Sequence, residues 1–352
     1  MIAIGLMSGT SCDGIDAAMI ATDGIAVQRF IAETHQSYSP EFQKKLLKLM
    51  QDHKDWLSIE RALTEHHADI VKKLTKMTAI KPDVIGFHGQ TIYHAPEQGI
   101  CWQIGNPHML ANLTGIDVVS DFRRRDVAGG GHGAPLVPIF HQALMKDKEP
   151  PVAIVNIGGV ANMTYIGTND VLIGCDIGPG NALINDAMMK YYSKPYDADG
   201  VIAESGTADL EFVADVMDDP FFAKLHPKSL DRNYFNKYAL PTRIVRNEDK
   251  IATLTAITIA AIERGLSEEA LGRQNPRAIY LCGGGAKNKA IVSGLKELQL
   301  HIADDGIQLN QDYVEAQAFA YLAVRCLKNL PSTFPSTTGV NQATVAGVLV
   351  HP

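Results

Sequence analysis

The stretch GLMSGTSCDGID, residues 5–16, is the part of the sequence that most constrains the fold. Apolar residues 1–4 precede it and apolar residues 17–20 follow it, so two strands are predicted around a turn, at residues 2–8 and about 15–22. A hairpin needs only two turn residues, whereas this stretch carries three glycines, three hydroxyl side chains and two aspartates. The turn is therefore expected to do more than reverse the chain.

The polar side chains of this turn suit an anion. Gly9 and Gly14 would let backbone N–H groups approach a phosphate closely, and Thr10 and Ser11 offer hydroxyl donors. Asp13 could hold a metal ion, directly or through water. This combination favours a hairpin that binds a triphosphate with Mg²⁺. An unusually polar hairpin without a ligand is the alternative.

The size and composition indicate a two-domain globular protein. At 352 residues the chain exceeds the length at which one hydrophobic core usually stops growing. Its 46% hydrophobic and 20% charged residues are typical of globular chains, and no apolar run approaches the roughly 20 residues that span a bilayer. The N-terminus lacks the basic region and cleavage site of a secretory signal. We therefore predict a cytoplasmic protein with no membrane segment.

Charge and cysteine usage argue against a nucleic-acid-binding protein and against a protein held together by disulfides or a metal. A formal net charge of -7 disfavours nucleic-acid binding, and the one basic run, Arg123-Arg124-Arg125, is bracketed by Asp121 and Asp126. The five cysteines are scattered without a C-x-x-C pair, and the twelve histidines lack a metal-ligand spacing. Neither a disulfide framework nor a structural metal is expected.

Strand-like and helix-like segments alternate along the chain, which predicts an α/β architecture. Ser39-Pro40 supplies a cap and a first-turn proline for a helix near 40–51. Residues 123–135, RRRDVAGGGHGAP, are predicted to form a loop. The strongest helical patterns beyond it cover residues 249–266 and 312–329.

The second half of the chain resembles the first in its order of elements. PVAIVNIGGVANMTYIG, residues 151–167, again predicts a strand, a glycine turn and a returning strand. We predict one lobe from residues 1–125 with about 330–352, and a second lobe from residues 126–329. Residues 194–240 are interpreted as an insertion without an assigned role.

Further glycine turns follow predicted strands at Gly158-Gly159 and Gly283-Gly284-Gly285. Any one of them could be a tight turn. No Walker A sequence occurs, and no G-x-G-x-x-G opens a helix after the first strand. Three glycine turns at strand ends in both halves are best explained if they face one nucleotide in a cleft between the lobes.

Four side chains are candidates for chemistry or substrate binding. Asp176 ends the predicted strand VLIGCD and could be a general base, or an Asp that accepts bonds from the turn. Arg125 could clamp an anionic substrate, or be solvated or paired with the neighbouring aspartates. Glu315 could bind sugar hydroxyls, or be an ordinary helix N-terminal charge. His88 could contact ligand or be a hydrogen-bonded turn histidine.

The order of these motifs resembles one family. GLMSGTSCDGID, GFHGQTIYH, QIGNP, DFRRRDVAGGGHGAPLVP, VNIGGVANMT, DIGPGNALIND and YLCGGGAKN together closely resemble the anhydro-N-acetylmuramic acid kinases of bacterial cell-wall recycling, through nearly the whole chain. The resemblance implies a two-lobed, actin-like ATPase fold with ribonuclease-H-like mixed sheets, and ATP with Mg²⁺ in the cleft. It also implies a homodimer.

The resemblance also implies roles for individual residues. Asp176 matches the catalytic aspartate, Arg125 and Glu315 match substrate-binding positions, and His88-Gly89-Gln90 lies in the sugar-side wall. Phosphate and nucleotide binding fall to three segments: Gly9, Thr10, Ser11, Asp13, Gly14 and Asp16; Asn156, Gly158 and Gly159; and Gly283, Gly284 and Gly285. Asp13 is the residue expected near Mg²⁺.

The implied reaction opens the 1,6-anhydro ring of 1,6-anhydro-N-acetylmuramic acid with water and phosphorylates O6. A kinase for another anhydro-sugar, such as levoglucosan, is one alternative. Another is a nucleotide-gated binding protein of the chaperone or filament type, which would usually need an added domain that this chain lacks room for. Removing the lactyl group from the sugar would separate the first two hypotheses.

Overall fold

The computed structural model describes residues 1–238, 240–303 and 311–352. The chain forms two compact units. The first comprises residues 1–146 and 309–352, and the second comprises residues 147–308. Each unit is built on its own β-sheet, flanked by helices.

The strands run in chain order as follows: β1 Ile2–Ser8, β2 Gly14–Thr22, β3 Val27–Ser37, β4 Val84–Ala95, β5 Ile100–Ile104, β6 Asp117–Ser120, β7 Val152–Ile157, β8 Val160–Ile166, β9 Leu172–Pro179, β10 Ala278–Cys282 and β11 Val348–Val350. The helices are α1 Pro40–Asp52, α2 Trp56–Thr78, α3 Pro107–Thr114, α4 Arg124–Ala128, α5 Pro138–Leu144, α6 Ala182–Tyr192, α7 Val201–Glu204, α8 Leu210–Met217, α9 Pro220–Ala223, α10 Asn247–Leu266, α11 Glu268–Leu271, α12 Lys289–Glu297, α13 Val314–Leu327 and α14 Pro335–Thr338. Short 3₁₀ turns lie at Pro96–Gln98, Ala198–Gly200, Tyr234–Lys237, Gly284–Lys287 and Gln311–Tyr313.

The sheet of the first unit has the strand order β11-β6-β4-β1-β2-β3, with β5 paired to β4. Strands β1, β2 and β3 are antiparallel neighbours, while β4 runs parallel to β1 and to β6. The α/β prediction and the first hairpin are therefore confirmed. Helix α13 packs across this sheet so closely that a Cβ at Gly5 would stand 1.7 Å from the Ala316 carbonyl oxygen, and one at Gly86 would stand 2.0 Å from that of Phe319.

The second unit contains a four-stranded sheet in the order β10-β7-β8-β9. Strands β7, β8 and β9 form an antiparallel meander, and β10 runs parallel to β7. The buried side of this sheet packs with α10, whose residues Ile251, Ile257, Ala261 and Ile262 are almost fully buried. This arrangement repeats the strand, turn, strand opening of the first unit, as the sequence predicted.

Local capping explains where the first helix begins. The Ser39 side chain accepts a hydrogen bond from the Phe42 backbone N–H, and Pro40 occupies the first helical position. The predicted helix near 40–51 is confirmed.

The prediction of a loop over residues 123–135 is wrong for its first part, because Arg124–Ala128 is a short helix. Its buried Asp126 accepts hydrogen bonds from the Gly133 N–H and the Thr338 hydroxyl, both at 2.7 Å. The first bond folds the glycine-rich stretch back onto this helix, and the second ties the helix to a residue 212 positions later. The amino-acid composition of the segment could not predict these bonds.

The two compact units have other boundaries than the predicted lobes, which were residues 1–125 with about 330–352 for the first lobe and residues 126–329 for the second. Residues 126–146 belong to the first unit, and so does α13, which the sequence assigned to the second lobe. The reason is the close packing of α13 on β1 and β4 through Gly5 and Gly86.

Candidate active site

The first hairpin has an exposed tip on a rigid base. The side chains of Thr10, Ser11 and Asp13 are exposed, and the Ser11 hydroxyl donates to Asp13 Oδ1 at 2.8 Å. The turn is closed by a bond of 3.1 Å from the Cys12 N–H to the Gly9 carbonyl oxygen. The tip thus presents hydroxyls, a carboxylate and backbone groups to solvent.

Beneath the tip lies a buried polar network. The Ser8 hydroxyl donates to Gln90 Oε1 at 2.7 Å and lies 3.0 Å from the Tyr38 hydroxyl. The Gln90 amide nitrogen in turn donates to the Gly9 carbonyl oxygen at 3.0 Å. Gln90 is fully buried, so this residue of the predicted sugar-side wall fixes the hairpin from below.

Asp16 lies in β2 at the foot of the hairpin. Its carboxylate accepts from His35 Nδ1 at 2.8 Å. Burial raises the pKa of Asp16, His35 partly offsets this, and nearby Asp13 and Asp312 raise it again. A carboxyl in this setting is more easily protonated than a surface aspartate.

The neighbouring residues of β4 hold fixed positions. His88 is buried, its Nδ1 donates to the Gly89 carbonyl oxygen at 2.8 Å, and its ring lies on Phe319 at 4.7 Å between centroids. Gly89 has φ +71°, and a Cβ there would stand 2.4 Å from the Ile104 carbonyl oxygen, so only glycine fits. Desolvation and the charge of Arg123 lower the pKa of His88 well below its ordinary value. His88 is therefore a neutral imidazole at physiological pH.

Glu315 lies in the first turn of α13. Solvent reaches part of its side chain, but desolvation by the surrounding protein raises the pKa of its carboxyl group. The charge of Arg123 lowers this pKa, and the charge of Asp16 raises it. His88, Arg123, Asp16 and Glu315 thus form one electrostatically coupled group in the first unit.

Arg125, by contrast, lies apart from this group. Its side chain is exposed, and Nη1 donates to the Val345 carbonyl oxygen at 3.1 Å. It lines a cavity together with residues 340–345, and neither His88 nor Glu315 lines that cavity.

In the second unit two glycine turns lie together. Gly283 and Gly285 lie against Ile157 at the end of β7, where added Cβ atoms would stand 2.8 Å from its carbonyl oxygen and 2.2 Å from its side chain. The Asn181 side chain donates to the Ile157 carbonyl oxygen at 2.9 Å, and its backbone N–H donates to the Gly158 carbonyl oxygen at 2.7 Å. The β7–β8 turn, the β10 turn and the start of α6 therefore form one corner.

The fold does not require glycine at every position of these turns. Added Cβ atoms at Gly9, Gly158, Gly159 and Gly284 would meet nothing closer than 3.5 Å, and none of these residues has a φ in the left-handed region. Gly283 differs, since it has φ +79° and a Cβ there would clash with Asn156. Glycines that the protein's own packing does not demand are expected where something else approaches the backbone.

A cavity of about 360 Å³ opens beside this corner. It is lined by Asn181, Ile184, Asn185, Tyr196, Asp197, Asp199, Gly284, Lys287 and Asn288. Tyr196, Asp197 and Asp199 come from the 194–240 segment, for which the sequence suggested no role. Its size is within the range of small-ligand sites.

Asp176 lies in β9, opposite Asn162 of β8. Its Oδ2 accepts from the Leu230 backbone N–H at 2.7 Å, and its own N–H donates to the Lys228 carbonyl oxygen at 3.0 Å. Burial raises the pKa of Asp176 to about 6, although the Leu230 bond pulls it down. A carboxylate with this pKa can take up a proton near neutral pH, as a general base must.

The segment that holds Asp176 is itself fixed by buried Asp219. The Asp219 carboxylate accepts from the hydroxyls of Tyr234 and Tyr238, at 3.0 and 2.7 Å, and pairs with Lys237 at 2.5 Å. The pKa of Asp219 is lowered to about 2, because the bonds from Lys237, Phe221 N–H and the tyrosines outweigh its burial. Part of the insertion therefore positions Asp176, which sequence patterns did not reveal.

Comparison with known proteins identifies the family. The family model for anhydro-N-acetylmuramic acid kinase matches residues 1–352. The chain belongs to the anhydro-N-acetylmuramic acid kinase family. Relatives of that name from Bradyrhizobium diazoefficiens and Gluconobacter oxydans are 42% and 41% identical, over 100% and 98% of both chains. The family prediction and the prediction of a kinase are confirmed.

Solved structures confirm the fold class. A ligand-bound xylulose kinase from Lactobacillus acidophilus matches with a TM-score of 0.52 at 11% identity, covering 100% of this chain and 94% of that one. A gluconate kinase from the same organism matches with a TM-score of 0.50 at 12% identity, covering 100% and 93%. The predicted actin-like, sugar-kinase fold is thus confirmed.

Family membership supports ATP and a small sugar as substrates of the enzyme. In the described residues no helix is long and apolar enough to cross a membrane. The homodimer and the cytoplasmic location stay predictions.

Proposed function

We propose that this enzyme uses ATP and water to convert 1,6-anhydro-N-acetylmuramic acid into N-acetylmuramic acid 6-phosphate and ADP, a step in the recycling of peptidoglycan. The observation that carries the proposal is Asp176, a partly buried aspartate whose pKa burial raises to about 6 and to which the family resemblance gives the catalytic role. The test is an assay of ADP and sugar phosphate, which should form in equal amounts and only when the anhydro-sugar is present.

The chemistry of the substrate explains why a base is needed. The anhydro bridge joins O6 to C1, so O6 has no proton to lose and cannot attack ATP as an alcohol. Asp176 takes a proton from water while the water oxygen bonds to C1 and the C1–O6 bond breaks. The released O6 bonds to the γ-phosphorus, and the bond from that phosphorus to the bridging oxygen of ADP breaks. The proton stays on Asp176 until it is lost to solvent.

The raised pKa of Asp176 predicts a pH profile. Because the base must be ionised, kcat/KM should be constant above about pH 7 and fall roughly tenfold per pH unit below about pH 6. Initial rates with limiting sugar measure this profile. The residual rate of the Asp176→Asn variant is the control and should lack the inflection. An inflection shared by both proteins would assign it to another group.

In the second unit, we assign the nucleotide to the corner formed by the glycine turns. Backbone groups of Gly158 and Gly159 would contact phosphates, with Asn156 beneath them, and Gly283 to Gly285 would border the adenosine. The adjoining cavity of about 360 Å³ supports this assignment, since Tyr196 offers a ring and Asp199 and Lys287 offer polar atoms to a nucleoside.

Substitution of Gly159 by Ala tests the phosphate contact. The added methyl group finds room within the protein, so the free energy of unfolding should change by less than about 1 kcal/mol. It would stand beside backbone groups that phosphate must approach, and we expect KM for ATP to rise roughly tenfold with KM for the sugar unchanged. Steady-state kinetics with each substrate varied measures both values. An unchanged KM for ATP would count against this site.

In the first unit, the exposed hairpin tip is assigned to the terminal phosphates. Gly9, Thr10 and Ser11 would contribute hydrogen-bond donors and Asp13 a carboxylate, with Gly14 and Asp16 at its foot. In the described residues no group of three or more His, Cys, Asp or Glu could hold a metal. One carboxylate, Asp13, together with ATP phosphates and water is a usual setting for Mg²⁺, whose charge would offset that of the phosphates.

The sugar is assigned to the coupled group of the first unit. His88 and Gly89 would border it, Gln90 holds the adjacent hairpin, and Glu315 would accept hydrogen bonds from sugar hydroxyls. Arg125 stays a predicted substrate residue from the family resemblance, although its exposed position beside Val345 does not add support.

A further inference from the structure

The three consecutive arginines at residues 123–125 have different surroundings. Arg124 is exposed and its Nε donates to Asp121 Oδ1 at 2.9 Å. Arg125 is exposed and donates to the Val345 carbonyl oxygen. Arg123 alone is half-buried and electrostatically coupled to Glu315 and His88.

Two hydrogen bonds fix the guanidinium of Arg123. Its Nε donates to His88 Nε2 at 3.0 Å, and its Nη1 donates to the Gly133 carbonyl oxygen at 2.7 Å. Neither bond is to a carboxylate, so the positive charge is oriented without being neutralised by these partners. The bonds leave Nη2 and the second N–H of Nη1 for another acceptor.

His88 acts as the acceptor that sets this orientation. Its Nδ1 carries the proton donated to the Gly89 carbonyl oxygen, so Nε2 is left with a lone pair that faces Arg123. Contact with Phe319 holds the ring in place. The imidazole therefore serves as a fixed neutral support for the arginine.

We propose that Arg123, oriented by His88, binds the carboxylate of the substrate's lactyl group and so selects a sugar acid over a neutral anhydro-sugar. The proposal rests on the proposed function and names the group on the substrate that the site recognises. It assigns to Arg123 the contact that the sequence suggested for Arg125.

The chemistry of the two partners supports this pairing. The lactyl carboxylate is the ionised group of 1,6-anhydro-N-acetylmuramic acid, and a guanidinium whose N–H groups are already oriented binds a planar carboxylate with little loss of freedom. The nearby acidic groups Glu315 and Asp16 would repel a carboxylate, so its favourable position is at the free edge of Arg123. Those same groups suit the neutral hydroxyls of the sugar ring.

The test compares two sugars that differ in the lactyl group, 1,6-anhydro-N-acetylmuramic acid and 1,6-anhydro-N-acetylglucosamine. In Arg123→Gln we expect kcat/KM for the first sugar to fall about 100-fold or more, and that for the second to change less than about threefold. Arg123→Lys keeps the charge but not the fork and should lose about tenfold on the first sugar only. Arg61→Gln is the control, because Arg61 is an exposed arginine of α2 that pairs with Glu65, and this variant should behave as wild type.

Several results would overturn the proposal. One is an equal loss on both sugars, and another is a selective rise in KM for ATP, which would place Arg123 at a phosphate. A lactyl-dependent loss in Arg125→Gln without one in Arg123→Gln would return the role to Arg125. Thermal unfolding of each variant shows whether it is folded, and Arg123→Lys serves if the Gln variant is not.

Binding measured by calorimetry separates this proposal from the proposed function. If wild-type enzyme phosphorylated neither sugar, the proposed function would fail, yet tighter binding of the lactyl sugar that is lost in Arg123→Gln and weakened in Arg123→Lys would still support the carboxylate contact. Equal affinity of the wild type for both sugars would refute it.

The positioning role of His88 has its own readout. His88→Gln keeps an oxygen that can accept from Arg123 Nε, whereas His88→Leu does not. We expect the Leu variant to lose its preference for the lactyl sugar through a raised KM, and the Gln variant to retain most of it. A loss of kcat on both sugars in the two variants alike would indicate a merely structural role.

Discussion

The Asp176→Asn variant should lose roughly 10²- to 10⁴-fold in kcat, with its affinity for ATP nearly unchanged. Asn can still accept the hydrogen bond from the Leu230 N–H, so the strand and the 228–230 segment should keep their arrangement. It cannot take a proton from water. Single-turnover rates and calorimetric ATP binding measure the two quantities, and turnover like that of the wild type would remove Asp176 from the mechanism.

The same variant should also be more stable than the wild type at neutral pH. The pKa of Asp176 is about 6 in the folded chain and near 3.8 in the unfolded chain, so ionisation at pH 7 favours unfolding by roughly 2 to 3 kcal/mol. This penalty grows between about pH 4 and pH 6 and is absent below pH 4, where both states are protonated. Denaturant unfolding of both proteins should show a difference at pH 7 that disappears at low pH. A less stable variant at pH 7 would contradict the raised pKa.

Replacing Gly5 with Ala should destabilise the first unit by about 3 kcal/mol or more, at the upper end of the cost of overpacking. The added Cβ would lie 1.7 Å from the Ala316 carbonyl oxygen and 2.4 Å from the Ala320 nitrogen. Both atoms belong to the backbone of α13, so no side-chain rotation relieves the clash. Since α13 also carries Glu315, sugar binding should weaken with stability. Denaturant unfolding and the soluble yield measure the effect.

The Gly159→Ala variant is the matched control for this prediction. It makes the same change at a position where the nearest atoms would lie 3.8 Å from the new Cβ, and its unfolding midpoint should stay close to that of the wild type. If Gly5→Ala and Gly159→Ala lowered the free energy of unfolding equally, the cost at Gly5 would not come from packing against α13.

Sequence patterns predicted those features that depend on neighbouring residues. The first hairpin, the cap at Ser39 and the long helices arise from local periodicity and turn chemistry, and the structure confirms them. Asp176 was predicted to end a strand before a glycine turn; that position is wrong, because β9 continues to Pro179 and Asp176 lies within the strand, paired with Asn162. The family resemblance supplied the rest of its expected role.

Features set by distant contacts were not predictable from the sequence. Within FRRRD, nothing local distinguishes Arg123 from Arg125; the difference comes from His88, which lies 35 positions earlier. Likewise Leu230 reaches Asp176 across 54 positions, through a segment that showed no recognisable pattern. Lobe boundaries failed to match the contact-based units for the same reason, since α13 packs on strands from the beginning of the chain.

The most direct test of the proposed reaction is to incubate the enzyme with ATP, Mg²⁺ and 1,6-anhydro-N-acetylmuramic acid in ¹⁸O-labelled water, and to analyse the sugar by mass spectrometry. Unlabelled product left in the same water for the same time corrects for exchange at C1. Water attack predicts a sugar 6-phosphate with one ¹⁸O at C1 and none in the phosphate group. Phosphorylated sugar without the label, or phosphate released from ATP with the sugar unchanged, would contradict it.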